Sequence, residues 1–195
     1  MNFSAVILAG GKSSRMGQDK AFLEMDGRPL LARQIELVRA GGAAEVFISG
    51  RDGVDYSAFG CRVLKDQLPY VGPLAGIERA LSVAAYPLLL VLAVDLPAMP
   101  PDLLLRLAAR CTETCGVIPQ VNGRAEPLAA FYPGAAHALA KLLLDSRQFE
   151  ARRFANSCVK SGLACPTEIP AVDAPCFFNW NSPAEAAGAA QQATN

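Results

Sequence analysis

Leu88 to Val94 are seven consecutive apolar residues, ended by Asp95 and Pro97. A strand with no polar alternation has no face to give to water, so it belongs inside a parallel sheet with helices on both sides. The run is far shorter than the ~20 residues a membrane-spanning helix needs. Its surroundings supply the cover. "SAVILAG" (4–10) reads as a buried strand stopped by glycine, "AEVFISG" (44–50) as another and "CRVLKD" (61–66) as one more. Between them, "FLEMDGRP" gives a short strand and an Asp26-Gly27 turn. Pro29 then opens a helix with Leu30, Leu31, Ile35 and Val38 on one face, and Gly41-Gly42 stops it. Pro73 opens a further helix with Leu74, Ile77 and Leu81 inward, and "PPDLLLRLAAR" (100–110) follows the apolar strand, with Asp102 as its candidate cap. This alternation from residue 4 to about 110 predicts an α/β fold: a doubly wound, mostly parallel, Rossmann-like sheet with helices on both faces. Ligands bind such sheets beyond the carboxyl ends of the strands, which puts the Gly10 loop, Asp66 and Asp95 on one rim.

Beyond residue 110, "GVIPQVNGRAEPLAAFYP" reads as two strands joined through an Asn122-Gly123 turn. "GAAHALAKLLLDS" is helical, "FEARRFANSC" more weakly so, and "NSPAEAAGAAQQ" fits a closing helix with Ser182 as cap and Pro183 at its first position.

Composition excludes several classes of function. Eighteen basic residues balance eighteen acidic ones, so no field of one sign draws the chain to nucleic acid or a membrane surface. Any anion has to be held locally. The six cysteines are too dispersed for a disulfide scaffold, and "MNFSAVILAGG" lacks the charged segment and cleavage site of a signal peptide. Reduced thiols in the cytoplasm are therefore expected. Cys111 and Cys115, spaced to share a helix face, lack the further ligands of a structural zinc site. His137, the one histidine, has no evident partner and reads as structural.

The local anion site is the stretch "LAGGKSSRMGQDK" (8–20), where glycines sit beside Lys12, Arg15 and Lys20. It is not a Walker A loop, because the glycine that Gly11-Lys12-Ser13 would require falls at Val6. Nor does it carry the G-x-G-x-x-G dinucleotide fingerprint. What remains is a turn whose main-chain N–H groups can face an anion, with Arg15 as a planar fork for phosphate and Lys20 as a point charge. Several cations plus a divalent ion suit the charge of a nucleoside triphosphate.

The order of Gly10-Gly11, Arg15-Met16-Gly17 and Asp19-Lys20 resembles the nucleotidyltransferases that join a nucleoside monophosphate to a phosphorylated partner. Among these it is most similar to the molybdenum cofactor guanylyltransferases of the MobA type. "DQLPYVGPLAGI" (66–77), "VDLPAMPPDLL" (94–104) and "NWNSPAE" (179–185) resemble further signatures of that family, in family order. Val94 and Ser182 stand where the family has Cys and Thr. The resemblance implies the nucleotide-diphospho-sugar-transferase-like version of the fold. A length of 195 residues suits one domain, or one with an excursion; the chain is taken as a single domain, 1–195, with a nucleotide-binding half (1–110) and an acceptor-side half with a closing helix (111–195).

The resemblance assigns roles too. Leu8, Ala9, Gly10 and Gly11 would meet the nucleotide mainly through backbone groups, and Asp66 would hold the nucleoside. Asp95 would bind Mg2+ beside the phosphates, with Arg15 and Lys20 neutralising charge. Asn179 and Asn181 would touch metal or acceptor. The implied reaction transfers GMP from GTP to the terminal phosphate of molybdopterin or Mo-molybdopterin. Gly10-Gly11 favours guanine, since the cytidylyl relatives tend to read Leu-Ala-Ala-Gly. Cofactor-insertion proteins and molybdoenzyme chaperones are the implied protein partners. A cytidylyl- or other nucleotidyltransferase, a catalytically inactive nucleotide-binding regulator, and a redox or metal carrier using Cys111 and Cys115 are the alternatives.

Overall fold

The computed structural model describes residues 2–10, 19–65 and 72–180. The apolar runs become the middle of one sheet. β1 (Phe3–Leu8) lies between and parallel to β4 (Ala43–Ser49) and β6 (Leu88–Ala93), and every residue of β1 and β6 is buried. β5 (Arg62–Leu64) extends the sheet in parallel beyond β4. β2 (Glu24–Met25) and β3 (Arg28–Pro29) form a separate hairpin, whose turn residues Asp26 and Gly27 both have positive φ.

Burial on both faces is visible in the alternation. Phe3, Ala5 and Ile7 of β1 join Leu88, Leu90 and Leu92 of β6 in a core roofed by α1 (Leu30–Ala40) and α3 (Pro101–Ala108). Val6 and Leu8 join Leu89 and Val91 in the opposite core. That core is covered by α2 (Pro73–Leu81), α4 (Ala136–Asp145) and α5 (Ala151–Lys160). The expected inward residues of α1 and α2 are all buried. α5, expected only weakly, is a full ten-residue helix that buries Ala151, Phe154, Ala155 and Cys158. No side chain caps α3; Asp102 lies inside its first turn and Pro100 occupies the cap position.

The second half departs from expectation. β7 (Gly116–Val121) turns through Asn122 and Gly123, both at positive φ as a tight hairpin requires, into the two-residue β8 (Arg124–Ala125). The chain then continues as β9 (Ala129–Pro133), which inserts antiparallel between β6 and β7. There are thus three strands where two were expected. A Cβ on Gly116 would stand 1.9 Å from the Phe131 carbonyl oxygen, so only glycine lets β7 start this close to β9. β10 (Ala164–Glu168), which alternation alone did not reveal, pairs parallel with β7 at the sheet edge. The strand order is β10-β7-β9-β6-β1-β4-β5.

Two further expectations change. His137 has a partner: its Nε2 lies 2.8 Å from Glu78 Oε1, linking α4 to α2. α3 ends before Cys111, so Cys111 and Cys115 do not share a helix face. Among the described residues no helix is long and apolar enough to cross a membrane. The closing-helix segment "NSPAEAAGAAQQ" lies outside the described residues.

Candidate active site

The carboxyl ends of β1 and β6 are adjacent, with Leu8 opposite Ala93. What the chain does on leaving each strand defines the rim. A cleft of about 240 Å³ opens there. It is lined by Leu8 at the end of β1 with Ala9 and Gly10 just beyond it, by Ala93 at the end of β6 with Val94 and Asp95 just beyond it, by Asp19 and Lys20, by Pro73 at the start of α2, and by Leu128. Leu8, Ala9, Gly10, Lys20 and Asp95, five residues singled out in the sequence, share this one cleft. Gly11, Arg15, Asp66 and Asn181 lie outside the described residues.

Asp95 and Lys20 form the polar centre. Lys20 Nζ donates to Asp95 Oδ2 at 2.8 Å across 75 residues of sequence, and both side chains keep partial access to solvent (27% and 18%). That access decides the chemistry. A fully buried pair would be sealed off from a ligand, whereas this one is enclosed enough to be strong and open enough to be shared with phosphate or a cation.

The backbone around Asp95 is clasped from two directions. Gln34 of α1 is buried, and its Nε2 donates to the Leu96 carbonyl at 2.8 Å and to the Val94 carbonyl at 3.5 Å. The Trp180 N–H donates to the carbonyl of Asp95 itself at 2.8 Å. Three successive carbonyls are held, leaving the carboxylate to face the cleft. Gln34 Oε1 finds no partner among the described residues. A buried amide left half-satisfied is costly, so its retention at an apolar helix position accords with a role toward this loop. Asn179, next to Trp180, is exposed and is not among the described residues that line the cleft.

Lys20 is presented by a comparable device. It begins a single turn of 3-10 helix, Lys20–Phe22, capped by Asp19, whose Oδ1 accepts from the Ala21 N–H at 3.1 Å. Asp19 Oδ2 accepts from the Tyr56 hydroxyl at 2.9 Å, and that hydroxyl accepts from the Arg51 N–H at 3.2 Å. The Tyr56 ring is buried and stacks on Phe22 at 5.7 Å. Burial, reinforced by the Asp19 carboxylate, pushes the Tyr56 phenol up to about 12, with the Arg51 amide opposing. Glu126, two residues before Leu128, is also displaced: burial raises its carboxyl, while Arg152 and Arg124 oppose.

The sequence reading missed Gln34 and Tyr56 and gave Asp19 no part of its own. A polar residue between Leu31 and Ile35 on an otherwise apolar face was the one available signal for Gln34. Tyr56 offered none. At the entry to the glycine turn, the Gly10 amide is already engaged, and residues 11–18 lie outside the described residues. The amides of Ala9 and Gly10 both donate to the Ser49 carbonyl, at 2.9 and 3.0 Å, and the Leu8 carbonyl accepts from Val94. These two N–H groups tie the end of β1 to β4.

Residues 5–161 match the model of the MobA-like NTP transferase domain. The chain is 34% identical over 183 residues to a probable molybdenum cofactor guanylyltransferase of Opitutus terrae, covering 92% of this chain and 91% of that protein. It is 37% identical over 191 residues to the molybdenum cofactor guanylyltransferase of Rhizobium meliloti, covering 93% and 87%. Among solved structures, the molybdopterin-guanine dinucleotide biosynthesis protein A from Archaeoglobus fulgidus matches with a TM-score of 0.75 at 21% identity over 98% of both chains. The 2-C-methyl-D-erythritol 4-phosphate cytidylyltransferase from Thermus thermophilus matches at 0.71 and 23% over 100% of both. At these identities the two structures speak for the fold, that of the nucleotide-sugar transferases. A sequence match running from β1 to the end of α5, on a sheet of this topology, means that the chain belongs to the MobA-like NTP transferase family.

Proposed function

We propose that this chain transfers GMP from GTP to the terminal phosphate of molybdopterin or Mo-molybdopterin, releasing pyrophosphate and yielding the guanine dinucleotide form of the cofactor. The observation that carries the reading is the Lys20–Asp95 pair, 2.8 Å apart in the cleft beyond β1 and β6. The relatives named for guanylyl transfer, matched along most of their length, support it. Residues 1–110 serve as the nucleotide-binding half and 111–195 as the acceptor-side half. The free thiols of all six cysteines are in keeping with a cytoplasmic setting. Handover to cofactor-insertion and molybdoenzyme chaperone proteins belongs to the same proposal.

Among the described residues no group of three His, Cys, Asp or Glu could cage a metal. Mg2+ does not need one, because it usually takes one or two carboxylates and fills its shell with water and phosphate oxygens. Asp95 fits that donor set, with Asn179 and Asn181 as further candidates. When bound, Mg2+ would neutralise charge on the nucleotide phosphates. The attacking phosphate monoester is already anionic near neutral pH, so the chain need not supply a strong general base. Its work is to align two anions and offset their repulsion. Lys20 and Arg15 offset charge, Leu8 to Gly11 meet the nucleotide mainly through backbone groups, and Asp66 orients the nucleoside.

The test is pyrophosphate release from GTP, CTP and ATP with molybdopterin, with and without Mg2+. Guanylyl transfer should require Mg2+, and Asp95→Ala or Lys20→Ala should cut it by about 10²–10³ with the fold intact. Near-normal turnover by either variant would overturn the assignment. A preference for CTP would make the chain a cytidylyltransferase, and tight GTP binding without turnover would make it a regulator.

A further inference from the structure

The proposed reaction uses none of the six cysteines, yet two of them are in contact. Cys115 Sγ and Cys165 Sγ lie 3.5 Å apart across 50 residues of sequence, the one thiol–thiol contact among the described residues. Cys115 is half-buried in the bend just before β7, and Cys165 is exposed on the edge strand β10. Cys165 is registered against Val117, so Cys115, two residues earlier, presents its side chain to the same face.

We propose that Cys115 and Cys165 are an oxidation site, closing to an intramolecular disulfide when the chain meets a small-molecule disulfide. The Cys165 thiolate attacks one sulfur of the small disulfide, forming a mixed disulfide and expelling one small thiolate. The Cys115 thiolate then attacks the Cys165 sulfur, forming the protein disulfide and expelling the second. The two protein thiols lose two electrons and two protons, and the small disulfide gains them as two thiols.

The surroundings favour this pair over any other. The sulfurs must close from contact to a bond of about 2.0 Å. Cys115 precedes the first ladder residue of β7 and Cys165 lies on a strand paired on one side, so both have room to follow. Cys111 is nearby but buried, and its thiol contacts the Leu107 carbonyl at 3.5 Å. Cys158 is fully buried in the other core. Burial and the neighbouring Cys165 raise the Cys115 thiol, so the second step should quicken as pH rises.

Purified, reduced full-length chain incubated with oxidised glutathione in mildly alkaline buffer tests this. Peptide mapping without reductant should show the Cys115 and Cys165 peptides joined, two thiols lost per chain, and both restored by dithiothreitol. Cys111→Ser should leave the link unchanged, and Cys115→Ser should leave glutathione on Cys165. Glutathione retained on Cys165 in the unaltered chain, a Cys111–Cys115 link, cross-linked dimers, or no loss of thiols would each overturn the proposal. The readout is independent of GTP turnover, so the outcome stands apart from that of the proposed activity.

Discussion

Tyr56→Phe isolates the hydroxyl that ties Asp19 to the Arg51 amide while keeping the ring stacked on Phe22. Two hydrogen bonds are lost, one to a carboxylate (about 1.5–3 kcal/mol) and one from an amide (about 0.5–1.5 kcal/mol). Asp19 lines the cleft and Arg51 is exposed, so water replaces part of the loss. A net destabilisation of about 2 kcal/mol near neutral pH is expected. The pH dependence is more diagnostic. Burial lifts the phenol from 10.0 to about 12, so the unfolded chain loses this proton first. The stability it represents is complete below pH 10 and drains away between pH 10 and 12. A shift of about two units makes this roughly 1.3 kcal/mol between pH 9 and pH 11. The unaltered chain should lose that much more stability than Tyr56→Phe over the interval, narrowing the gap between them. Urea unfolding of both proteins at the two pH values measures it. A gap that stays constant, or widens, would refute the reasoning, because the hydroxyl would then be no better protected in the fold than out of it.

Two further substitutions probe how the site is held. In Gly76→Ala a Cβ would stand 2.4 Å from Ser49 Oγ and 3.2 Å from Leu8 Cδ2, so the buried Ser49 side chain or α2 must shift, at a cost of about 1–3 kcal/mol. A lowered urea midpoint with a raised KM for GTP is expected, and unchanged values of both would refute that close packing. Gln34→Leu removes the donor to the Val94 and Leu96 carbonyls but also the unpartnered Oε1, so stability should change by no more than about 1 kcal/mol. Turnover should fall about tenfold or more as Asp95 loses its fixed direction, and unchanged kcat in steady-state assays would count against the clasp.

The elements that could be read from the sequence are those whose reasons are local. Seven unbroken apolar residues require cover on both faces, and β6 has it. The spacing of Leu30, Leu31, Ile35 and Val38 describes a helix face, and α1 buries it. Glycine and proline marked where α1 and α2 begin or end. The carboxyl-end rule brings Gly10 and Asp95 to one rim, and both line the same cleft. Each of these depends on neighbours within a turn or a strand.

Tertiary structure decided what depends on pairing over distance. β9 inserts antiparallel between β6 and β7 because that position satisfies edges which the sequence does not advertise. β10 reads "ACPTE", with too little alternation to announce a strand, and becomes one because β7 offers an open edge. The Tyr56–Asp19 bond spans 37 residues and the Gln34–Leu96 bond 62. Neither side chain differs in isolation from an ordinary core tyrosine or helix glutamine. Periodicity reports which face of an element is apolar, but a hydrogen bond depends on where two separate elements come to rest. The chemistry of the rim was therefore legible, while the supports that aim it came from packing alone.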